Sequence, residues 1–154
     1  METGVFTDVY RAKFAELGAG VLGASNVDAA LSKLSYFKVG EMGHTGVSPD
    51  VPDPTLSDIQ ASTDISAGAG GVGSRFFQKT FGVGDVSYVA GVLTVVCHVD
   101  GAEGNAQGAD ADPTYYELGI FDEHDDMIAY LTYTGQEKPV GEPLMHVVRV
   151  RYDR

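Results

Sequence analysis

The stretch GVLTVVCHVD, residues 91–100, carries the clearest secondary-structure signal in the chain. β-Branched residues dominate it, and apolar side chains occur at both odd and even positions. One alternating set consists of Leu93, Val95, Cys97 and Val99, and the other of Val92, Thr94, Val96 and His98. Because successive side chains of a strand point to opposite faces, the pattern predicts a central strand that is covered on both sides.

Five further segments are predicted to be strands. They are Ser35–Val39, Arg75–Phe81, Tyr115–Phe121, Met127–Tyr133 and Leu144–Tyr152. The polar run Asp122–Asp126 between two of them is typical of a hairpin loop, because Asp suits turns. The greater part of the chain is therefore predicted to form an antiparallel β-sheet or sandwich.

The start of the chain shows a different period. Apolar residues recur there at steps of three and four, which is the spacing of one face of a helix. They are Phe6, Tyr10, Phe14, Leu17 and Val21. We therefore predict an α+β fold in which an N-terminal helix or helices pack on the sheet. The apolar stripe is interpreted as core or subunit contact, with Tyr10, Phe14 and Leu17 as candidate partner-binding residues.

The segment 44–74 is predicted to be an extended loop within a single domain of residues 1–154. Pro49, Pro52 and Pro54 interrupt regular structure, and a glycine-rich run follows at 67–73. A long segment of this kind is usually a binding loop or disordered. Its few large apolar residues, Leu56 and Ile59 among them, are predicted to anchor it on a partner, and we expect it to become ordered on that contact.

The charge balance is strongly acidic, with 22 Asp and Glu against 10 Lys and Arg and a formal net charge of −12 at pH 7. Such a surface repels phosphate backbones and anionic lipids, so we predict neither nucleic-acid nor membrane binding. The sequence shows no signal peptide and no apolar run long enough to span a bilayer, which predicts a protein made in a cytoplasm. Cys97 is the only cysteine, so no internal disulfide is expected.

No motif in the sequence predicts catalysis, a cofactor or a metal. Two glycine-rich matches to a nucleotide-binding pattern lack the strand-to-helix context that the pattern requires. Cys97 and His98 are neighbours on a predicted strand, so their side chains point apart and Cys97 is interpreted as a buried apolar residue. The histidines lack the spacing of a zinc site, and the acidic clusters lack the spacing of a calcium loop. We therefore predict a protein that is not an enzyme.

Three stretches, taken in order, resemble a known family. They are Asp8–Gly20 leading to Phe37–Gly43; Val51–Leu56; and Tyr115–Glu123 with Met127–Tyr130 and Glu137–Pro139. The third stretch is similar to a family pattern of an aromatic residue, a Glu-x-Gly-hydrophobic-Phe-Asp strand, a hairpin, an Ile-Ala strand and a loop ending in Lys-Pro. In this order they resemble the N-terminal baseplate-attachment domain of phage tail-collar fibre proteins. Two departures are that Lys138-Pro139 follows an acid rather than an aromatic residue, and that the glycine-rich run has no counterpart.

The resemblance implies a structural virion protein of a phage tail or contractile injection machine. It would join side fibres to the baseplate or tail by protein–protein contacts, with other tail or baseplate proteins and a fibre protein as partners. It implies a homo-oligomer, with a trimer as the candidate state, located in the virion after synthesis in the host cytoplasm. The alternative is a small carbohydrate- or receptor-binding β module of the tail.

Overall fold

The computed structural model describes residues 5–6, 33–46, 51–67, 72–90, 92–107 and 111–151. Nine strands lie in these ranges: β1 (Val5–Phe6), β2 (Leu34–Gly40), β3 (Thr63–Asp64), β4 (Arg75–Thr80), β5 (Val86–Val89), β6 (Val92–Val99), β7 (Thr114–Asp122), β8 (Met127–Glu137) and β9 (Leu144–Arg151). The helical element of the same ranges is a short 3-10 helix, Ile65–Ala67.

The strands form two sheets. The larger sheet has the order β1-β8-β7-β2-β4-β3, and its pairs are antiparallel except for the parallel pair of β3 and β4. The smaller sheet has the order β5-β6-β9 and is antiparallel. The chain therefore crosses from the larger sheet to the smaller one between β4 and β5, returns between β6 and β7, and crosses again between β8 and β9.

One hydrophobic core joins the two sheets. The smaller sheet contributes buried side chains from β6 and β9, and the larger sheet contributes them from β2, β4, β7 and β8. The core residues include Phe37, Val39, Phe77, Val95, Cys97, Val99, Tyr115, Leu118, Ile120, Leu131, Leu144 and Val148. Across the interior, the rings of Tyr133 and His146 lie with centroids 4.4 Å apart. Burying each large apolar side chain contributes about 1.5–3 kcal/mol, so the alternating pattern of the strands drives this arrangement.

The prediction of an α+β fold with N-terminal helices is wrong: the described ranges form two β-sheets and contain no α-helix. Phe6, the first residue of the helical stripe, lies in β1 and pairs with Ala129 of β8. A spacing of three and four shows only that side chains can share a face; it does not show that a nearby sheet edge offers backbone partners. Tyr10, Phe14, Leu17 and Val21 lie outside the described residues.

The strand predictions are confirmed, with shifted ends. The strand predicted to end at Tyr133 continues to Glu137, and the one predicted to start at Tyr115 starts at Thr114. The short strands β1, β3 and β5 were not predicted, because two to four residues carry too little alternation to be recognised.

The described part of the segment 44–74 lies along the larger sheet. His44 and Pro52 form an isolated antiparallel bridge, and β3 pairs with the start of β4. Ala61 and Ile65 are buried, with 5% and 3% of their surfaces exposed. The segment therefore has internal contacts that its proline and glycine content does not indicate.

Candidate functional site

Glu117 of β7 is a fully buried carboxylate that fixes the segment before β3. Its Oε2 accepts hydrogen bonds from the backbone N–H of Gln60 (2.9 Å) and from the hydroxyl of Tyr130 (2.8 Å). Its Oε1 accepts a hydrogen bond from the backbone N–H of Ala61 (2.8 Å). Burial raises the pKa of Glu117, while the bonds from Gln60, Tyr130 and Ala61 oppose that rise. The three donors occupy both oxygens of a carboxylate that the sequence places in an apolar strand.

Gly40 of β2 leaves the space that this carboxylate occupies. Gly40 pairs with Glu117 across the strands, and a Cβ built on Gly40 would collide with the Glu117 side chain and with Ala61. Gly119 has a similar role on β7, because the ring of Phe121 lies where its Cβ would be. The glycines therefore admit side chains of the same sheet, which is one meaning of glycine within a strand.

Glu41 and Arg75 form a buried salt bridge. The Arg75 guanidinium donates from Nε to Oε2 of Glu41 (2.7 Å) and from Nη2 to Oε1 (2.6 Å). The backbone N–H groups of Gly73 and Arg75 donate to the same carboxylate at 3.0 and 3.1 Å. Both side chains are almost fully buried, so this bidentate pair holds the end of β2 against the start of β4.

Lys138 is a buried cation that holds the loop between β6 and β7. Its Nζ donates to Oδ1 of Asn105 (2.8 Å) and to the carbonyls of Gly101 and Pro139 (both 3.3 Å). The Asn105 side chain returns a hydrogen bond to the carbonyl of Lys138 at 2.7 Å. Burial lowers the pKa of Lys138. The Lys138 ammonium therefore has its hydrogen-bond acceptors inside the fold.

Asp122 is a third buried carboxylate, and it stabilises the β7–β8 hairpin through backbone hydrogen bonds. It is fully buried, and its Oδ1 accepts hydrogen bonds from the backbone N–H groups of His124 (2.8 Å) and Asp126 (3.0 Å). Asp125 adopts a left-handed conformation with φ of 64°, which Asp tolerates better than most residues. The Asp122 carboxylate therefore stabilises the hairpin turn in which it lies.

The smaller sheet presents a face to solvent, which we call the outer face. By strand register it consists of Ser87 and Val89 of β5, Val92, Thr94, Val96 and His98 of β6, and Met145, Val147, Arg149 and Arg151 of β9. Val89 is 71% exposed and Met145 is 60% exposed. β6 is the central strand of its sheet, as predicted, but its residues on this face are less buried than those on the core face. Exposed apolar surface is more frequent at interaction sites than elsewhere on soluble proteins.

The outer face differs in charge from the chain as a whole. Its ten residues include no Asp or Glu, although the chain has 22, and Arg149 and Arg151 give it a positive charge. Asp100 lies beyond the end of β6, where it contacts His98 (3.1 Å) and the ammonium of Lys79 (2.8 Å). The result is an apolar and weakly basic surface on an acidic protein.

A second surface feature is an aromatic cluster on the larger sheet. The rings of Tyr36 and Phe121 are stacked, with centroids 4.8 Å apart and planes 6° apart. The Lys38 ammonium lies 4.5 Å from the ring centroid of Phe76 and 5.2 Å from that of Phe121. The Tyr36 hydroxyl donates to Asp125 (3.0 Å), and burial together with this carboxylate raises the pKa of Tyr36 to about 12. Tyr36 and Phe76 are half-buried and so remain partly accessible.

The partner-binding residues predicted from the sequence are only partly within the described ranges. Leu56 and Ile59 are half-buried and lie in the segment that Glu117 fixes, next to Gln60. Tyr10, Phe14 and Leu17 lie outside the described residues. The outer face was not predicted as a site, although the apolar even-numbered positions of residues 92–98 are its sequence signal.

Cys97 and His98 point to opposite sides of β6, as predicted. Cys97 is fully buried in the core, and His98 lies on the outer face. Among the residues that the structure describes, no group of three His, Cys, Asp or Glu side chains is arranged to hold a metal ion. The same residues include no helix that is long and apolar enough to cross a membrane.

Comparison with models of known protein families, with curated proteins and with solved structures finds no significant match to this chain.

Proposed function

We propose that this protein is a structural component of a phage tail or related contractile injection machine, which joins a side fibre to the baseplate or tail by protein–protein contacts. The observation that carries the proposal is the outer face of the smaller sheet. It exposes Val89 and Met145, and it contains no carboxylate in a chain of net charge −12. A face of this composition gains stability when another protein covers it.

The family resemblance supports the same function through the residues that carry it. In the most specific stretch, the polar side chains Glu117, Asp122 and Lys138 are all buried and bound to backbone groups. These three residues therefore have a structural role that accounts for their occurrence in the pattern, because they fix loops on a sheet. That is the work expected in a rigid attachment domain, whose role is to hold partners in place.

The partners proposed are other tail or baseplate proteins and a fibre protein, in a homo-oligomeric assembly within the virion. The acidic surface away from the outer face favours partners with basic surfaces, because charge complementarity increases association rates and specificity. No chemical step is assigned to the chain, and it is proposed not to be an enzyme.

A carbohydrate- or receptor-binding module of the tail is the second candidate. The aromatic cluster favours it, because Tyr36, which stacks on the buried Phe121, and the nearby Phe76 are partly accessible. Aromatic rings on a sheet offer large contact area at low entropic cost.

Co-sedimentation of the purified chain with the fibre and baseplate proteins encoded near it tests the first candidate. We expect a stable complex that Val89→Glu with Met145→Glu weakens, and that Val83→Glu with Val140→Glu leaves intact. Val83 and Val140 are also exposed, but they lie outside the outer face. Absence of any complex, together with glycan-array binding lost in Tyr36→Ala, would favour the second candidate.

A further inference from the structure

We propose that the free edge of β9 binds one extended segment of a partner protein, which adds to the smaller sheet as a fourth strand and carries apolar and acidic side chains. This inference rests on the proposed function, because it specifies how a fibre or baseplate protein contacts the outer face. It goes further by assigning the backbone groups that bind the segment, and the conformation and charge of the segment itself.

β9 is the longest edge strand in the part of the chain that the structure describes. It pairs with β6 over eight consecutive residues without a bulge, and no strand of the described ranges pairs with its other side. The remaining edge strands are shorter, because β1 and β3 have two residues each and β5 has four. A long, regular edge strand presents a row of unpaired N–H and C=O groups on which a further strand can form.

The hydrogen-bond pattern shows which residues of β9 face away from the sheet. The N–H of Val96 donates to the carbonyl of Asp85 at 2.7 Å, so the even-numbered residues of β6 bond towards β5. Since the bonding direction alternates along a strand, the odd-numbered residues of β6 bond to the even-numbered residues of β9. The odd-numbered residues of β9 therefore direct their backbone groups outward. We call them the open edge: Met145, Val147, Arg149 and Arg151.

The open edge combines apolar and basic residues. Met145 is 60% exposed, Val147 is half-buried and Arg149 is exposed. β9 contains no Asp or Glu, and within the described ranges no carboxylate forms an ion pair with Arg149. Side chains of an added strand would lie about 4.5–5.5 Å from those directly opposite. Apolar residues therefore suit the positions opposite Met145 and Val147, and a carboxylate suits the position opposite Arg149.

Charge favours an acidic segment of a partner over a second copy of this chain. Two β9 strands paired edge to edge would bring Arg149 and Arg151 of both copies into one short ladder. Like charges at neighbouring cross-strand positions destabilise a sheet, and the two copies, each of net charge −12, also repel each other as wholes. A segment with carboxylates at alternate positions has the opposite sign to the edge. Main-chain bonds then provide affinity and the carboxylates provide selectivity.

Hydrogen exchange of the full chain, followed at single amides by NMR, tests whether the edge is open. In the free chain, the amides of Met145, Val147 and Arg149 should exchange at least about tenfold faster than those of His146 and Val148, which donate to β6. Equal protection of the two sets would overturn the inference. Protection of the open edge that appears as the concentration of the chain alone is raised would identify a second copy as the occupant, and would also overturn it.

A peptide with blocked ends and the sequence Glu-Thr-Glu-Thr-Val-Thr-Val-Thr is the probe for the occupant. Paired antiparallel to β9, it places its two Glu opposite Arg151 and Arg149 and its two Val opposite Val147 and Met145. At millimolar concentration it should slow exchange of the open-edge amides, whereas the same peptide with Lys in place of Glu should not. The fibre and baseplate proteins encoded near this chain should protect the same amides when they bind.

Two variants separate the backbone and the charge contributions. Val147→Pro removes one outward N–H without removing a bond to β6, and it should weaken binding at least about tenfold. Arg149→Glu should weaken it about fivefold, less at high salt, and Arg149→Lys should restore most of the affinity. Val83→Pro is the control for proline, since Val83 is exposed at the second position of the turn from Gly82 to Asp85, where proline is favoured.

Circular dichroism verifies that each variant is folded, and the charge variants decide the matter if Val147→Pro is not. Undiminished binding by Val147→Pro or by Arg149→Glu would overturn the inference, as would open-edge amides that neither the Glu peptide nor a partner protein protects. If a fibre or baseplate protein binds but leaves the open-edge amides unprotected, this inference fails and the proposed function stands. If the Glu peptide protects them but no tail protein binds, the proposed function fails instead.

Discussion

Replacing Glu117 by Gln tests the idea that this carboxylate fixes the segment before β3. The two side chains have nearly the same volume, so the change alters hydrogen bonding rather than the space that is filled. Glu117 accepts from three donors, and the amide of Gln can accept at one atom only. In either orientation of the amide, the backbone N–H of Gln60 or of Ala61 loses its acceptor.

The magnitude follows from the burial of these groups. A buried donor left without an acceptor costs about 1–3 kcal/mol, and the bond from Ala61 is among the buried ones. We therefore expect Glu117→Gln to lower the free energy of unfolding by about 2 kcal/mol at neutral pH. For a urea m-value of about 2 kcal/mol/M, the unfolding midpoint falls by about 1 M.

Urea unfolding followed by far-UV circular dichroism measures this loss, and hydrogen exchange locates it. The amides of Gln60 and Ala61 should exchange faster in Glu117→Gln, while amides in the centre of the smaller sheet should be affected only through global unfolding. Glu137→Gln, at an exposed position on β8, is the matched control and should change stability by less than about 0.5 kcal/mol. Equal midpoints for Glu117→Gln and the original chain would refute the role assigned to this carboxylate.

Three further predictions follow from the buried charges. The pKa of Glu117 is raised in the folded state, so the part of its contribution that depends on the bound proton is fully present below the ordinary value of 4.5 and is lost as pH rises through the raised pKa. The difference in unfolding free energy between the original chain and Glu117→Gln should therefore shrink over that interval and then level off at its neutral-pH value. A difference that widens as pH rises would contradict this direction. Arg75→Met leaves Glu41 buried without its cation and should cost about 3–5 kcal/mol in the same assay, so that a cost below about 1 kcal/mol would argue against the buried pair. Lys138→Met removes the donor to Asn105 and should cost about 1–3 kcal/mol, with faster proteolysis of the loop 100–107, and unchanged proteolysis would count against that tie.

The sequence predicts the long strands of this fold because their alternation is driven by the core itself. In β6, the set Val95, Cys97 and Val99 faces inward, and its spacing of two is visible without any tertiary information. The helical prediction at the N-terminus failed at Phe6 for the opposite reason. Phe6 belongs to β1 because its backbone pairs with the edge strand β8. Since β8 lies more than 120 positions later in the chain, the sequence around Phe6 carries no sign of this pairing.

The sequence shows where the buried polar residues lie, but it does not show which groups they bind. Glu117 stands out as an acid in an apolar strand, which indicates either an exposed face or a partner. The sequence gives no indication that its donors are the backbone of residues 60 and 61, since neither backbone group has a side-chain signature. The outer face was missed because its apolar residues were interpreted as evidence of cover on both sides, and hydrophobicity alone does not distinguish cover by the chain from cover by a partner.

A cryo-EM map of tail particles from the source organism tests the central claim, that this chain is an attachment protein of a tail. The account predicts density for the two sheets, of six and three strands, between the baseplate or tail and the start of a side fibre, with the outer face covered by protein. Purified particles that lack the chain, or that carry it with the outer face open to solvent, would contradict it.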